Sequence, residues 1–371
     1  MKNLMTYIIE YSSKSFSEHP FNVVDALVLC QIVYLKLDGI VPGDAFVSWQ
    51  EIAGHPESEK LYSDRVFGEM YREFFANVTA SERYRGIEAG FFEEHYSGEE
   101  CDSDGYSGEK KEYQFAALTY RIPDASIAGG RIFIAYRGTD EKLVGWKEDL
   151  NMGFSEIVPS QEMALEYLER VASITMRCEG AGSSLEAKRN RQDVPGLFIG
   201  GHSKGGRQAV YAAAKASGKI KEQIAAVYSF DGMGLGDEFY ASKDYREIKH
   251  KTTKIIPDES LVGTLFERPE NCIIVESGNI GIKQHDFMNW RVEDGHFVYC
   301  ETLKPAARII ANRLRRWMID MSEEEARHFV DIIYEMMLAS EPNNIYDLTD
   351  KRLEKIKAGI LILCKHGKPG V

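Results

Sequence analysis

The residues best suited to chemistry in this chain are Gly201-His202-Ser203-Lys204-Gly205. A glycine two positions to either side of a serine lets the chain turn sharply and lift the hydroxyl clear of its surroundings. The chemistry of such a serine is nucleophilic attack on an acyl carbon, once a base takes its proton. The flanking sequence suits that role. A short apolar run, Leu197-Phe198-Ile199, reads as a buried strand before the turn. The small residues of 207–216 read as a closely packed helix after it. Side chains in place of Gly201 and Gly205 would meet the neighbouring strand and helix, and Gly206 allows still closer packing. The start of that helix also offers N–H groups to developing negative charge. Ser203 is the candidate nucleophile.

A serine needs a base, and the base needs an acid to orient it. On a sheet of this kind the chain order is serine, then Asp or Glu, then histidine. Five histidines follow Ser203: His250, His285, His296, His328 and His366. His328 and His366 fall in a helical tail, and His250 precedes the strand expected to carry the acid. His285, in Lys283-Gln284-His285-Asp286-Phe287 with Trp290 beyond, lies in the loop after the last expected strand. That is where the base belongs, and His296 is the second choice. For the acid, Asp258 directly follows the strand 252–256, with Pro257 ending that strand and projecting the carboxylate over its carboxyl edge. Asp231 follows the preceding strand and Glu259 adjoins Asp258, so both stay open beside the favoured Asp258.

A tetrahedral intermediate needs two or more N–H donors. The backbone of Lys204 should supply one. The stretch Tyr136-Arg137-Gly138-Thr139-Asp140, at the end of an earlier strand, should supply another. Gly138 permits close approach there, and Thr139 carries both an N–H and a hydroxyl, with Trp146 and Asp149 downstream to lock the loop. Two competing motifs are weaker. The phosphate-loop pattern Gly-x-x-x-x-Gly-Lys-Ser/Thr is absent. Gly232-Met233-Gly234-Leu235-Gly236 imitates a dinucleotide fingerprint but lacks the third glycine at the required spacing. No cofactor and no metal are expected.

The elements that must hold these residues follow from apolar periodicity. Helices are expected at 22–37, 65–80, 161–176 and 207–216, and strands at 91–96, 114–121, 131–136, 197–199, 224–230, 252–256 and 271–276. Strands separated by helices predict an α/β fold with a mostly parallel central sheet and helices on both faces. From residue 303 onward three helices are expected, at 305–320, 322–340 and 346–364. The polar stretches 97–110 and 179–193 read as surface loops. With no repeat and no linker, the 371 residues read as one domain: an N-terminal helical layer (1–85), a catalytic core (86–300) and C-terminal helices (301–371).

Composition narrows the partners. The formal net charge of −13 argues against binding nucleic acid through its phosphates and against docking on anionic lipid. The six cysteines form no Cys-x-x-Cys pair and read as mostly buried, reduced thiols. The N-terminal 17 residues lack the basic start and apolar run of a signal peptide, and no apolar run reaches the length of a membrane span. A cytoplasmic location is the expectation.

Arg137-Gly138-Thr139, then Gly145-Trp146-Lys147-Glu148-Asp149, then Gly201-His202-Ser203-Lys204-Gly205-Gly206 together resemble class 3 lipases. They are more similar to a lipase-like bacterial family of unknown function designated DUF2974, also called Mbeg1-like. Pro20-Phe21-Asn22-Val23-Val24-Asp25-Ala26-Leu27 resembles that family's opening, and Gln284-His285-Asp286-Phe287 with Trp290 its C-terminal histidine motif. The resemblance covers most of the chain, from about Pro20 to about Glu335. It implies an α/β-hydrolase fold, with Ser203 as nucleophile, His285 as base, Asp258 as acid and Thr139 in the oxyanion hole. The Pro257-Asp258 order departs from the Asp-Pro pair usual for the acid in class 3 lipases. Hydrolysis of a carboxylic ester of a small acyl or lipid substrate is the expected function. Transfer of the acyl group to another acceptor, or a non-catalytic scaffold on the same fold, are the alternatives.

Overall fold

The structure is a computed structural model that describes residues 2–97, 113–123, 130–140, 145, 148–149, 157–178, 196–267 and 271–319. The expected loop 179–193, most of the loop 97–110 and the helices 322–340 and 346–364 lie outside these residues.

The N-terminal region is a helical layer. Helix α1 (Leu4–Glu10), not among the expected helices, buries Leu4, Tyr7 and Ile8 on one face and starts on the side chain of Asn3. Helix α2 (Val23–Ile32) starts at a reciprocal cap between Asn22 and Asp25, and nearly all of it is buried. Strand β1 (Phe46–Ser48) leads into the short helix α3 (Trp49–Ala53), and α4 (Gly68–Ala80) closes the layer.

The sheet is assembled from β2 (Glu88–Tyr96), β3 (Gln114–Ile122), β4 (Arg131–Tyr136), β5 (Leu197–His202), β6 (Ile224–Phe230), β7 (Thr252–Pro257) and β8 (Ile273–Val275). Two short strands, β9 (Val292–Glu293) and β10 (His296–Phe297), pair with each other, and β11 (Tyr299–Cys300) joins the main sheet. The order among the described residues is β1-β2-β3-β4-β5-β6-β7-β8-β11. Strands β4 to β8 are parallel, whereas β1 to β4 and the β8–β11 pair are antiparallel. The parallel block is therefore the centre of a mixed sheet. The crossovers after β4, β5 and β6 contain helices, the long connection that parallel neighbours require.

Side-chain alternation divides the core in two. On β4, Phe133 and Ala135 face the N-terminal helices, whereas Ile132, Ile134 and Tyr136 face α5 (Pro159–Cys178) and α6 (Lys204–Lys215). Phe198 and its neighbours Leu197 and Ile199 on β5 divide in the same way. Both faces are covered, which explains why these strands read as unbroken apolar runs. The fold is of the α/β-hydrolase type: a central parallel block, helices on both faces, and a strand–turn–helix junction at its middle strand. The helix Pro305–Ile319 follows β11. Cys30 is buried, as the composition suggested, but Cys272 and Cys300 are only half-buried.

Candidate active site

The site forms at the carboxyl edge of the parallel strands. Strand β5 ends at His202, and α6 begins at Lys204. Ser203 between them has φ 57° and ψ −128°, left-handed backbone that a non-glycine residue seldom adopts. Its N–H donates to the carbonyl of Phe230 at 2.9 Å, which ties the turn to the end of β6. The glycines make the turn possible. A Cβ on Gly201 would sit 2.2 Å from the carbonyl carbon of Gly205, and one on Gly205 would sit 2.1 Å from the carbonyl oxygen of Tyr136. Strand, helix and the end of β4 thus meet at main-chain contact distance.

Gly138 follows β4 and comes as close to the serine. A Cβ there would lie 2.7 Å from the carbonyl oxygen of His202 and 3.0 Å from Cβ of Ser203. Its N–H donates to the phenol oxygen of Tyr34 at 3.1 Å. The next residue, Thr139, uses its hydroxyl to donate to Oδ2 of Asp149 at 2.5 Å. Burial raises the Asp149 carboxyl to about 6, against the opposing pull of the Lys204 ammonium. The Lys204 side chain is fully buried and bonds Glu148 at 3.0 Å. Glu148 also accepts the N–H groups of Gln114 and Ser160, at 3.0 Å and 3.1 Å. One carboxylate so joins the starts of β3, α5 and α6.

His285 ends a short 3-10 helix, Gly281–His285. Its Nδ1 lies 2.6 Å from Oδ2 of Asp231. Asp231 is almost fully buried and has φ 44° at the end of β6. Its other oxygen accepts the Ser260 hydroxyl and, at 3.1 Å, the Gly263 N–H. The carboxylate is thus held from both sides, as a group that orients an imidazole must be. The His285 ring also packs on that of His202, with centroids 4.4 Å apart.

The family model of the Mbeg1-like family matches residues 78–335, more than half of the sequence. The chain belongs to the Mbeg1-like family. This Mbeg1-like chain is also similar to a solved structure described as the crystal structure of M37 lipase, at 12% identity and a TM-score of 0.33, over 78% of each chain. No curated protein matches it.

The candidate residues of this Mbeg1-like chain lie at one edge of the sheet, but the carboxylate that meets the histidine is not the expected one. Gly138 adjoins Ser203, Thr139 follows Gly138, Lys204 opens α6 directly after the serine, and the His285 ring packs on His202 beside it. Asp258 does not face His285. Its Oδ1 accepts the Gln284 amide at 2.8 Å, and Lys304 lies 3.3 Å from Oδ2. The carboxylate beside the histidine is that of Asp231. The physical reason is in the return loop: Gln284 reaches over β7 to Asp258 and leaves the next residue, His285, above β6. Glu259 is likewise engaged elsewhere, by the Gly281 N–H and Lys304. His296 lies on β10 with its ring against His19.

Other expectations are sharpened. The Thr139 hydroxyl is committed to Asp149, so only its N–H is left to serve an oxyanion. Asp149 does lock this loop, as expected, while Trp146 lies outside the described residues. The Gly232–Gly236 stretch packs on the turn at Ser203: a Cβ on Gly232 would be 2.9 Å from the Ser203 carbonyl oxygen, and Arg207 donates to that of Gly234. Trp290 supports the histidine loop by donating to the Gln284 carbonyl at 2.8 Å. Tyr34, Ser260 and Glu148 were not among the candidate site residues. Only Glu148 had a signal, beside Asp149 in the downstream motif. Among the described residues no group of three or more His, Cys, Asp or Glu is placed to hold a metal, and no helix is long and apolar enough to cross a membrane.

Proposed function

We propose that this Mbeg1-like protein is a serine hydrolase that cleaves carboxylic esters through an acyl-enzyme. The observation that carries this reading is the 2.6 Å pairing of His285 Nδ1 with buried Asp231, against the strained turn at Ser203. A proton on Nδ1 satisfies the carboxylate and leaves Nε2 as the free base. Nε2 takes the proton of the Ser203 hydroxyl as its oxygen attacks the ester carbonyl. The N–H groups of Lys204 and Thr139 hold the oxyanion. Collapse returns the proton from His285 to the leaving alcohol and forms the acyl-serine. Water, deprotonated by His285, then attacks, and the acid is released with the serine restored.

An apolar acyl group suits the surroundings. Met233 follows Gly232, which adjoins Ser203, and Val262 precedes Gly263, which bonds Asp231. Met233 and Val262 cluster with Val158 and Leu265. The loops beside Ser203 and Asp231 are thus apolar, which favours an acyl substrate over a charged one.

A fluorophosphonate probe tests the reading. The native protein should label on Ser203, and Ser203→Ala should not label. An unlabelled native protein, or equal labelling of Ser203→Ala, would leave a scaffold without catalysis. A series of p-nitrophenyl esters of rising acyl length then tests the substrate class. Added alcohol that captures most of the acyl group would turn the assignment to acyl transfer.

A further inference from the structure

Two side chains that the acyl-enzyme scheme leaves idle lie between its working parts. His202 directly precedes Ser203, and its ring is buried. Tyr34 lies just beyond the end of α2. The bonds between them have one consistent direction. The main-chain oxygen of His285 only accepts, so His202 Nε2, 2.9 Å away, carries the proton. A neutral imidazole has a single N–H, so Nδ1 is the acceptor. Tyr34 Oη, 3.1 Å from Nδ1, donates to it. The same phenol oxygen accepts the Gly138 N–H at 3.1 Å. Every hydrogen in the chain from Gly138 through Tyr34 and His202 to His285 is accounted for. The charge state agrees, since burial, and then the neighbouring His285, hold the His202 imidazole well below its usual range.

We propose that Tyr34 and His202 form a positioning relay that holds the Gly138 segment and the main chain of His285 in fixed relation to Ser203. The inference rests on the hydrolase reading above. Nothing covalent joins residues 34, 138, 202 and 285 locally, so the alignment of oxyanion segment, nucleophile and base depends on non-covalent ties. The relay supplies two of them. It consumes the Gly138 N–H, which assigns oxyanion binding from this segment to Thr139. It also gives His285 a second anchor: Asp231 holds the imidazole, and His202 holds the peptide behind it. The rings of His285 and Phe287 both pack on His202, with centroids 4.4 Å away in each case. Reaction rates respond steeply to small misplacements of such groups.

The test is the rate of phosphonylation by a fluorophosphonate, resolved into maximal rate and apparent affinity. Tyr34→Phe deletes only the hydroxyl, and His202→Phe keeps a ring but removes both bonds. The maximal rate should fall about tenfold in Tyr34→Phe and further in His202→Phe, with apparent affinity within about twofold of wild type. Near-ultraviolet circular dichroism confirms that the variants are folded. Nitrogen-15 spectra of wild-type imidazoles should show His202 protonated on Nε2 alone and not titrating between about pH 5 and pH 8. Wild-type rates in both folded variants, or a His202 that titrates or carries its proton on Nδ1, would overturn the relay. A wild-type protein that does not label sinks the hydrolase reading and the relay's purpose together. Labelling that both variants leave unchanged sinks the relay alone.

Discussion

Oδ2 of Asp231 lies 2.6 Å from Nδ1 of His285, across 54 residues of chain. The two meet because β6 ends beside β5 and the return loop after β8 folds back over that end. Ser260 and Gly263 hold the second carboxylate oxygen, so Asp231 has little freedom to turn away.

The first prediction separates the two aspartates. Asp231→Asn should favour the wrong imidazole tautomer and lower turnover of a p-nitrophenyl ester by about 10,000-fold. Asp258→Asn, whose carboxylate faces Gln284 and Lys304, should stay within about tenfold of wild type. The reverse ranking would return the acid to Asp258.

Stability should depend on pH through Asp149. Its carboxyl is raised by burial from the usual range to about 6. The folded protein therefore binds a proton that the unfolded chain has already lost between about pH 4 and about pH 6. This contribution is fully present below about pH 4 and is lost as pH rises through about 6, a change on the order of 3 kcal/mol. Asp149→Asn removes it. The stability of wild type relative to Asp149→Asn, from urea midpoints, should fall across that window; a difference independent of pH contradicts the assignment.

The N-terminal layer depends on a buried ion pair. Arg83 bonds both oxygens of Asp25, and both side chains are fully buried. Tyr7 and Tyr84 donate to the same carboxylate at 3.0 Å and 2.8 Å. Asp25→Asn strands the guanidinium and should cost about 3–5 kcal/mol in chemical denaturation. A loss below about 1 kcal/mol would mean that the pair is not buried in solution.

Gly205→Ala tests the close approach at the turn of Ser203. The added Cβ meets the Tyr136 carbonyl oxygen at 2.1 Å, backbone that has nowhere to yield. A cost of about 3 kcal/mol or more is expected. Gly218→Ala, where nothing lies within 4 Å of the added Cβ, is the matched control and should be near neutral. Equal stability of the two variants would refute the contact.

The sequence carried the middle of this fold well. Strands β4 and β6 begin and end where their buried apolar runs do, at Arg131–Tyr136 and Ile224–Phe230. The turn at Ser203 was legible because its glycines, strand and helix are contiguous. The carboxylate that meets His285 was not, for a physical reason. Asp231 and Asp258 end adjacent parallel strands and are locally alike; the choice between them is made by the path of a loop 25 to 55 residues further on, roughly speaking, which no local pattern encodes. Tyr34 was invisible for the same cause, since it meets Gly138 across 104 residues and His202 across 168. Strands β1 and β9 to β11 are too short to show a period.

Helix α2 sits directly on β5, the strand that ends before Ser203: a Cβ on Gly200 would come within 3.1 Å of the Cys30 sulfur. The family match begins at residue 78, downstream of that helix. A protein cut at that boundary would keep the serine, the histidine and both aspartates. It would lose the phenol that reaches Gly138 and His202, and one face of β5 would lie open to water. The natural unit for expression, or for fusion to another protein, therefore begins before α2 rather than where the family alignment starts.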